Sequence, residues 1–341
     1  MKLNLYTDRS FLPEGKKHTS LLFPFWGNPE TDRSDLDYGR FDEYTAKGKD
    51  LFSITDDPAA ADAFVLSYEF SFLPEDMVFS TRMDELAGKY NKKVLVFFNS
   101  DSYQAIPMKN AIVFRTSFFK SSRKPNEFAF PGWSIDFAKL KAPVPAKSKP
   151  SKPSISYCGY VDYLSFAEKL SLENIIKNVK DRSGSVDKIG PALRGKAVRT
   201  LIKDQRIASN FIIRKGFWAA GMDKQQARKE YLENVFSSDY ALVARGAGNF
   251  SYRLYEVMSS GKIPVFIDTD SVLPYDHLID WKKYVVWIEE KEAGMIADRL
   301  FDFHKQLSPE EFIARGKACR ELYQEWLSPL GYYSNIHKCL N

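Results

Sequence analysis

The chain has 341 residues, of which 44% are hydrophobic and 15% aromatic, which provides enough apolar side chains for two domain cores. Its net charge of +5 comes from 49 basic and 44 acidic residues, an excess too small for the concentrated basic face that duplex nucleic acid requires. Nucleic acid is therefore disfavoured as the main partner. Anionic small ligands and peripheral contact with an acidic membrane surface both remain compatible with this weak basicity.

The cysteines and the first residues predict a soluble, cytoplasmic protein. Cys158, Cys319 and Cys339 are odd in number and have no CxxC spacing, which disfavours a disulfide framework and a thiolate zinc site. The opening segment MKLNLYTDRSFLPEG becomes charged too early for a signal peptide. No apolar run approaches the ~20 residues that a membrane-spanning helix needs.

Residues 1–140 predict an N-terminal α/β domain. Short, nearly continuous apolar runs are typical of parallel strands covered on both faces. Four such runs are present, at residues 2–6, 63–68, 93–98 and 110–114. Charged segments with helical spacing lie between them, at residues 38–50 and 73–93. Residues 141–154, KAPVPAKSKPSKPS, predict a linker because proline, lysine and serine replace the apolar periodicity.

Strands alternate with helices after the linker, which predicts a second α/β domain with a parallel sheet over residues 155–326. The predicted strands lie at residues 154–160, 210–217, 239–244, 262–267 and 284–288. The predicted helices lie at residues 193–207, 225–238, 251–260 and 292–307, with a last helix that begins at the serine and proline of residues 308–309. Residues 327–341 are predicted to form a C-terminal tail.

The stretch RGAGNFSYRLYE, residues 245–256, predicts a turn from a strand into a helix that binds an anion. Ser251 is the predicted N-cap, and Gly246 and Gly248 allow the backbone to turn tightly and to approach a ligand. The free N–H groups and the positive end of the helix dipole then favour a phosphate.

Three charged side chains of this stretch extend the hypothesis to a nucleotide. Arg245 and Arg253 are placed to bind a diphosphate with charge-assisted hydrogen bonds. Glu256 lies ~7 Å along the helix at ~1.5 Å per residue, far enough from the phosphates to bind ribose hydroxyls. The alternative is structural: Arg253 and Glu256 form a surface ion pair, Ser251 is only a cap, and the glycines only make a turn.

Residues 240–281 resemble the C-terminal signature of exostosin-type glycosyltransferases, an apolar run followed by PRGxGxxSxRxxE, then GxIPV, then a proline-containing loop that ends in IDW. Ala244 departs from the pattern, where the family has proline. The positions that match are Arg245, Gly246, Gly248, Ser251, Arg253, Glu256, Gly261, Ile263, Pro264, Val265, Pro274, Ile279, Asp280 and Trp281. Outside this segment the resemblance is thinner, and it extends to Arg199, Gly159 and the strand at residues 63–68.

The resemblance implies an α/β fold of the GT-B type, with two Rossmann-like domains and a cleft between them. It implies an inverting hexosyl- or pentosyltransferase that takes a nucleotide sugar, a UDP-sugar rather than a GDP-sugar, as donor substrate in the second domain. The acceptor, an oligosaccharide or a lipid-linked glycan in polysaccharide biosynthesis, would bind the first domain, and neither a cofactor nor a metal is required. The implied donor-binding residues are Arg199, Arg245, Gly246, Gly248, Asn249, Ser251, Arg253 and Glu256.

Two other functions stay open. Asp268 and Asp270 form a DTD directly after a predicted strand, the position at which metal-dependent GT-A transferases bind Mn²⁺ or Mg²⁺. The other alternative is a non-catalytic sugar- or nucleotide-binding protein. The four histidines show no HxxH or HExxH spacing, which disfavours a histidine metal centre; they are His18, His277, His304 and His337.

An inverting transfer needs a base that accepts the proton of the acceptor hydroxyl. Asp8 and Glu69 are the candidates, because each follows a predicted strand and ligands bind beyond the carboxyl ends of parallel strands. The aromatic clusters at residues 23–27 and 128–133 are either platforms for sugar rings or core. Arg115 and Arg123 are candidates for binding an anionic acceptor, although the acceptor residues as a set are not identified by the sequence.

Overall fold

The computed structural model describes residues 2–143, 148–162, 189–216, 219 and 221–340. The chain forms two compact units. Unit 1 comprises Met1–Ile135, Val272–Leu278 and Gln324–Asn341, and unit 2 comprises Asp136–Ser271 and Ile279–Tyr323. Each unit has its own parallel sheet with helices, so the predicted α/β fold with two Rossmann-like domains is confirmed.

Unit 1 is built on six parallel strands in the order β2-β1-β3-β4-β5-β6. These strands are β1 Leu3–Tyr6, β2 Phe52–Thr55, β3 Ala63–Val65, β4 Val94–Phe98, β5 Ala111–Arg115 and β6 Glu127–Ala129. The four predicted strands correspond to β1, β3, β4 and β5. The sequence analysis missed β2 and β6, which are short and carry mixed burial patterns rather than continuous apolar runs.

The helices of unit 1 include a segment from the far end of the chain. They are α1 Phe23–Trp26, α2 Asp42–Leu51, α3 Pro74–Lys89 and, numbered in chain order, α10 Pro329–Asn335. The segment predicted as a tail, residues 327–341, is thus part of unit 1. Tyr332 and Tyr333 of α10 are buried, and the Tyr332 hydroxyl donates to the Ala129 carbonyl at 2.9 Å.

Unit 2 is built on five parallel strands in the order β11-β10-β9-β7-β8. These strands are β7 Ser154–Tyr160, β8 Ala208–Arg214, β9 Tyr240–Val243, β10 Ile263–Asp268 and β11 Val286–Glu289. All five match predicted strands. Ser154, the last residue of the predicted linker, already pairs in β7, and residues 144–147 of that linker lie outside the described part of the chain.

Six α-helices lie in the part of unit 2 that the structure describes. They are α4 Phe137–Leu140, α5 Ile189–Lys203, α6 Lys224–Phe236, α7 Tyr252–Ser259, α8 Ile296–Gln306 and α9 Pro309–Leu322. The predicted start of α9 is confirmed, since Ser308 and Glu311 form a capping box. In none of the helices that the structure describes is there an apolar stretch long enough to cross a membrane.

Each sheet has one point at which the direction of the connections reverses. In unit 2 the chain runs outward from β7 to β8 on one side and from β9 to β10 and β11 on the other. In unit 1 it runs from β1 to β2 on one side and from β3 to β6 on the other. The carboxyl ends of β7 and β9, and of β1 and β3, are therefore the places where a doubly wound sheet binds ligands.

Two glycines allow the first half of α5 to pack against the carboxyl end of the sheet of unit 2. A Cβ at Gly190 would lie 2.5 Å from the Gly246 carbonyl oxygen and 2.7 Å from that of Arg245. A Cβ at Gly195 would overlap the carbonyl oxygen of Asp162, just beyond β7. Such distances exclude any side chain at either position, so glycine fixes where α5 lies.

We expect Gly195→Ala to destabilise the protein by about 1–3 kcal/mol, because the added methyl group displaces α5 from the backbone at Asp162. An alanine in an unobstructed helix would instead stabilise by about 0.5–1 kcal/mol relative to glycine. Urea unfolding of the intact chain measures the difference. Gly294→Ala is the matched control, because its new Cβ meets only the flexible Lys196 side chain, at 3.1 Å; equal effects of the two substitutions would contradict the assigned packing.

Candidate functional site

The glycine-rich turn begins where β9 ends, at the switch point of unit 2. Its backbone closes with a hydrogen bond from Gly246 N to the Phe250 carbonyl, at 2.8 Å. Arg245 is buried, with an exposure of 3%, and its Nη2 donates to the Ala247 carbonyl at 2.9 Å. The guanidinium group of Arg245 thus folds back on the turn and places a positive charge beneath it.

Asn249 connects the glycine-rich turn to the loop after β10. Its Nδ2 donates to the carbonyl oxygens of Thr269, at 3.1 Å, and Asp270, at 3.2 Å. Its Oδ1 accepts a hydrogen bond from the Thr269 hydroxyl at 2.6 Å. The amide of Asn249 therefore holds two loops together, a contact between segments 20 residues apart in the chain that the sequence motif does not reveal.

Helix α7 begins beside the turn with Ser251 at its N-cap, and the Ser251 side chain makes no capping hydrogen bond. The predicted apolar face is confirmed, because Leu254, Val257 and Met258 are buried. The N–H groups of the first helical turn have no intrahelical acceptor. The start of α7 therefore has the donors and the dipole that an anion requires.

Arg253 lies between two tyrosine rings at the carboxyl end of β7. Its guanidinium carbon is 4.5 Å from the ring centre of Tyr157 and 5.3 Å from that of Tyr231. Its Nη2 donates to the Cys158 carbonyl at 2.6 Å, and its Nε donates to the Tyr231 hydroxyl at 3.3 Å. These contacts fix the guanidinium plane at the switch point.

Glu256 is a buried carboxylate, 8% exposed, and it is not paired with Arg253. It accepts a hydrogen bond from the Tyr231 hydroxyl at 2.6 Å and lies 3.6 Å from Nη1 of Arg228. Burial, and then the charge of Glu256, raise the pKa of Tyr231 well above its ordinary value, so this phenol stays a hydrogen-bond donor. The alternative of an exposed ion pair between Arg253 and Glu256 does not describe this arrangement.

Arg194 is the site residue that the sequence analysis missed. It lies on α5, and its Nε donates to the Gly190 carbonyl at 3.0 Å. Its Nη1 donates to the Tyr160 carbonyl at 3.1 Å and to the Tyr157 hydroxyl at 3.3 Å. The side chain is 8% exposed, and its buried Nη2 has no hydrogen-bond partner among the residues that the structure describes.

The implied donor residue Arg199 lies on the same helix but on another side. Five residues at about 100° each separate it from Arg194, so the two side chains are ~140° apart around α5. Arg199 is half-buried. The close approach of Gly190 to the glycine-rich turn brings Arg194, rather than Arg199, next to Tyr157 and the end of β7.

The two aspartates of the DTD stretch line a cavity of about 800 Å³ at the carboxyl ends of β10 and β11. The lining residues are Ala192, Leu193, Lys196, Asp268, Asp270, Glu289, Glu290 and Lys291. Asp268 Oδ1 accepts a hydrogen bond from Ser271 N at 2.8 Å, so this carboxylate caps its own loop. No cluster of three histidine, cysteine or acidic side chains suited to a metal ion occurs within the described ranges.

In unit 1, the arginines and one aromatic cluster proposed for the acceptor have structural partners. Arg115 is buried and pairs with Glu127 at 2.8 Å, and Arg123 pairs with Asp276 at 2.8 Å. In the cluster at residues 128–133, Phe130 and Trp133 are core residues. In the cluster at residues 23–27, by contrast, Trp26 is only half-buried.

The two candidate bases lie at the switch point of unit 1. Asp8 follows β1, and its Oδ1 accepts a hydrogen bond from Ser10 N at 2.7 Å, which caps a short turn. Glu69 follows β3 with its side chain exposed. Partial desolvation and the charge of Glu30 raise the pKa of Glu69 above its ordinary value.

Comparisons with known proteins agree with the motif in unit 2. Residues 183–299 match the family model of the Exostosin GT47 domain. Exostosin-1 of Drosophila melanogaster is 33% identical over 76 residues, which are 22% of this chain and 10% of that protein. The Exostosin-1 homolog of Caenorhabditis elegans is 29% identical over 108 residues, 32% of this chain and 27% of that protein.

These matches confirm the resemblance to exostosin-like glycosyltransferases over part of unit 2. The chain spans about a tenth and about a quarter of the lengths of these two relatives. The solved structure of WaaG, a glycosyltransferase involved in lipopolysaccharide biosynthesis, aligns over 84% of this chain and 86% of its own, with 11% identity and a TM-score of 0.36.

We expect Asn249→Asp to destabilise unit 2 by about 1–3 kcal/mol, because an acceptor-only carboxylate would face the carbonyl oxygens that the amide now satisfies. Thermal unfolding measures this loss. Asn91→Asp makes the same chemical change at an exposed turn position, and we expect it to cost less than about 0.5 kcal/mol. Equal stabilities of the two variants would show that Asn249 does not hold the two loops together.

Proposed function

We propose that the protein is a glycosyltransferase that moves a sugar from a nucleoside-diphosphate sugar to a hydroxyl of a glycan acceptor, with inversion and without a required metal. The proposed donor is a UDP-sugar, and the proposed acceptor is an oligosaccharide or a lipid-linked glycan. The observation that carries the proposal is the group of buried arginines at the switch point of unit 2. The match to the Exostosin GT47 domain over residues 183–299 supports it independently.

The arginines suit a leaving diphosphate. When the bond from the anomeric carbon breaks, negative charge develops on the diphosphate oxygen, and fixed positive groups beside it lower the free energy of the transition state. Arg253 is oriented by Tyr157 and Tyr231, and Arg194 has a buried Nη2 available to an acceptor. Arg245 adds charge beneath the turn, so no divalent cation is needed in this proposal.

Glu256 and its neighbours suit the ribose end of the same ligand. Glu256 lies farther along α7 than Arg253, and the Tyr231 hydroxyl connects the two by hydrogen bonds. In the proposed complex, ribose hydroxyls donate to the carboxylate, which keeps Arg228 as its positive partner. The nucleotide would then lie along the first two turns of the helix.

We expect a nucleoside diphosphate to raise the melting temperature in the presence of EDTA, because ligand that binds only the folded state stabilises it by RT ln(1 + [L]/Kd). Thermal shift with UDP, GDP, CDP and CMP shows which nucleobase the site prefers and whether binding requires the second phosphate. Stabilisation that requires Mn²⁺ and is lost in Asp268→Ala would instead support the metal-dependent alternative.

We expect Arg194→Gln to weaken binding of the best nucleotide about 10- to 100-fold, the equivalent of one charge-assisted hydrogen bond worth about 1.5–3 kcal/mol. Arg199→Gln is the matched control, since it removes the same charge from another side of the same helix. Isothermal titration of both variants, with folding checked by their melting temperatures, measures the contrast. A larger loss in the Arg199 variant would favour the residue that the sequence resemblance implies.

We expect Glu256→Gln to weaken UDP binding by about 1–3 kcal/mol and to reduce discrimination against 2′-deoxy-UDP, because the ionised acceptor of the ribose hydroxyls is replaced by a weaker amide. Titration of both proteins with both nucleotides completes the thermodynamic cycle. If both nucleotides lose equal affinity, Glu256 acts only by orienting Tyr231 and Arg253. Unchanged affinity in all four combinations would rule out either role.

A further inference from the structure

Unit 2 has a cavity that the proposed contacts with the nucleotide do not use. Its volume is about 800 Å³, within the ~300–1,000 Å³ of typical small-ligand sites. Its walls come from the first half of α5, from the loop after β10 and from residues 289–291, where β11 ends. All three segments belong to unit 2, so this unit forms the cavity by itself.

Two neighbouring strands place carboxylates side by side in the wall of the cavity. Asp268 is the last residue of β10 and Glu289 is the last residue of β11, and the two are directly paired in the parallel register. Paired residues of adjacent strands point to the same face of the sheet and lie ~5 Å apart. Both line the cavity, so their carboxylates can bind neighbouring groups of one ligand.

Hydrogen bonds within the wall orient these two carboxylates. Asp268 Oδ1 accepts a hydrogen bond from Ser271 N at 2.8 Å, and Glu289 Oε1 accepts one from Trp287 Nε1 at 3.0 Å. An ionised carboxylate has about four lone-pair sites for hydrogen bonds. Orientation by the protein therefore leaves capacity for the hydroxyls of a ligand.

The rest of the lining has the chemistry that binds a sugar ring. Asp270 and Glu290 add two more carboxylates, and Lys196 and Lys291 contribute ammonium groups. Carboxylates accept hydrogen bonds from hydroxyls, and ammonium groups donate to hydroxyl oxygens. Leu193, a buried residue, adds apolar surface for C–H groups. A sugar presents all of these groups, whereas phosphates would be repelled by the excess of carboxylates.

The cavity adjoins the proposed diphosphate site at the glycine-rich turn. Across the sheet, β10 and β11 lie ~5 and ~10 Å from β9, after which the turn begins. Asn249 of the turn donates to the Asp270 carbonyl at 3.2 Å. On α5, the cavity residue Leu193 directly precedes Arg194 in the chain. A sugar attached to a diphosphate at the turn is therefore within reach of the cavity.

The proposed ribose site lies on the other side of the turn. Tyr231, which donates to Glu256, belongs to α6, and α6 packs against β7. In the strand order β11-β10-β9-β7-β8, β7 and the cavity lie on opposite sides of β9. The ribose, the diphosphate and the sugar of one ligand would thus follow one another along the carboxyl edge of the sheet.

We propose that this cavity binds the sugar of the donor and selects a neutral hexose or pentose over a uronic acid, an inference that rests on the proposed glycosyltransferase function. The hydroxyls of a neutral sugar bind the carboxylates and the ammonium groups. A uronic acid adds a carboxylate to a wall in which carboxylates already outnumber ammonium groups two to one. This repulsion selects against it.

The test is isothermal titration of the intact chain, in EDTA, with UDP and a panel of UDP-sugars. The panel contains UDP-glucose, UDP-galactose, UDP-N-acetylglucosamine, UDP-xylose and UDP-glucuronic acid. We expect at least one neutral UDP-sugar to bind about 10- to 100-fold tighter than UDP, the gain from one charge-assisted hydrogen bond. We expect UDP-glucuronic acid to bind no tighter than UDP.

Substitutions in the wall separate the sugar from the nucleotide. Glu289→Gln and Asp268→Asn keep the shape of the side chain but replace an ionised acceptor with an amide, so each should reduce the gain of the sugar and leave the affinity for UDP unchanged. Glu292→Gln is the matched control, because Glu292 pairs with Arg299 instead. Glu290→Lys, at an exposed position, should raise the affinity for UDP-glucuronic acid about tenfold. Melting temperatures check that each variant is folded.

The same titrations can overturn the assignment. If no UDP-sugar binds tighter than UDP, or if the gain persists in both Glu289→Gln and Asp268→Asn, the cavity is not the sugar site, while the nucleotide site stands. Tightest binding of UDP-glucuronic acid would overturn the selectivity, and a gain that appears only with Mn²⁺ would assign the cavity to a metal ion. If UDP itself does not bind, the proposed donor fails and the sugar site with it.

Discussion

The packing of guanidinium groups against backbone carbonyls at the carboxyl end of β7 is the constraint on which unit 2 depends. A buried cation is costly unless its N–H groups are satisfied. Arg194 and Arg253 donate to the carbonyl oxygens of Tyr160 and Cys158, respectively, which offsets part of this cost. Glycine at positions 190 and 195 then lets α5 come close enough for the arrangement to form.

Two tyrosines convert this packing into a defined geometry. Tyr157 receives a hydrogen bond from Arg194 and lies beneath Arg253. Tyr231 connects Arg253 to Glu256. The charged groups therefore do not move independently, and a ligand that binds one of them meets the others already oriented. Preorganised charge of this kind stabilises a developing anion without reorganisation during the reaction.

Local sequence patterns predicted much of the fold and the part of the site that runs from Arg245 to Glu256. Apolar runs identified nine of the eleven strands that the structure describes, and the motif from Arg245 to Glu256 lies where β9 ends and α7 begins. Arg194 could not be predicted, because the side of α5 that faces the turn depends on contacts of Gly190 and Gly195 with residues distant in sequence. Tyr157 and Tyr231 carry no motif, and only the packing of α6 against β7 brings them together.

The return of the chain to unit 1 after α9 determines when that unit can be completed during synthesis. Tyr333 has its ring centre 4.4 Å from that of Tyr44, and its hydroxyl lies 2.7 Å from the Ser20 hydroxyl. These partners leave the ribosome long before Tyr333 does, so Tyr44 and Ser20 lack their contacts with Tyr333 while unit 2 is being made. The segment that follows α9 therefore closes the core of the first unit only after unit 2 has been synthesised.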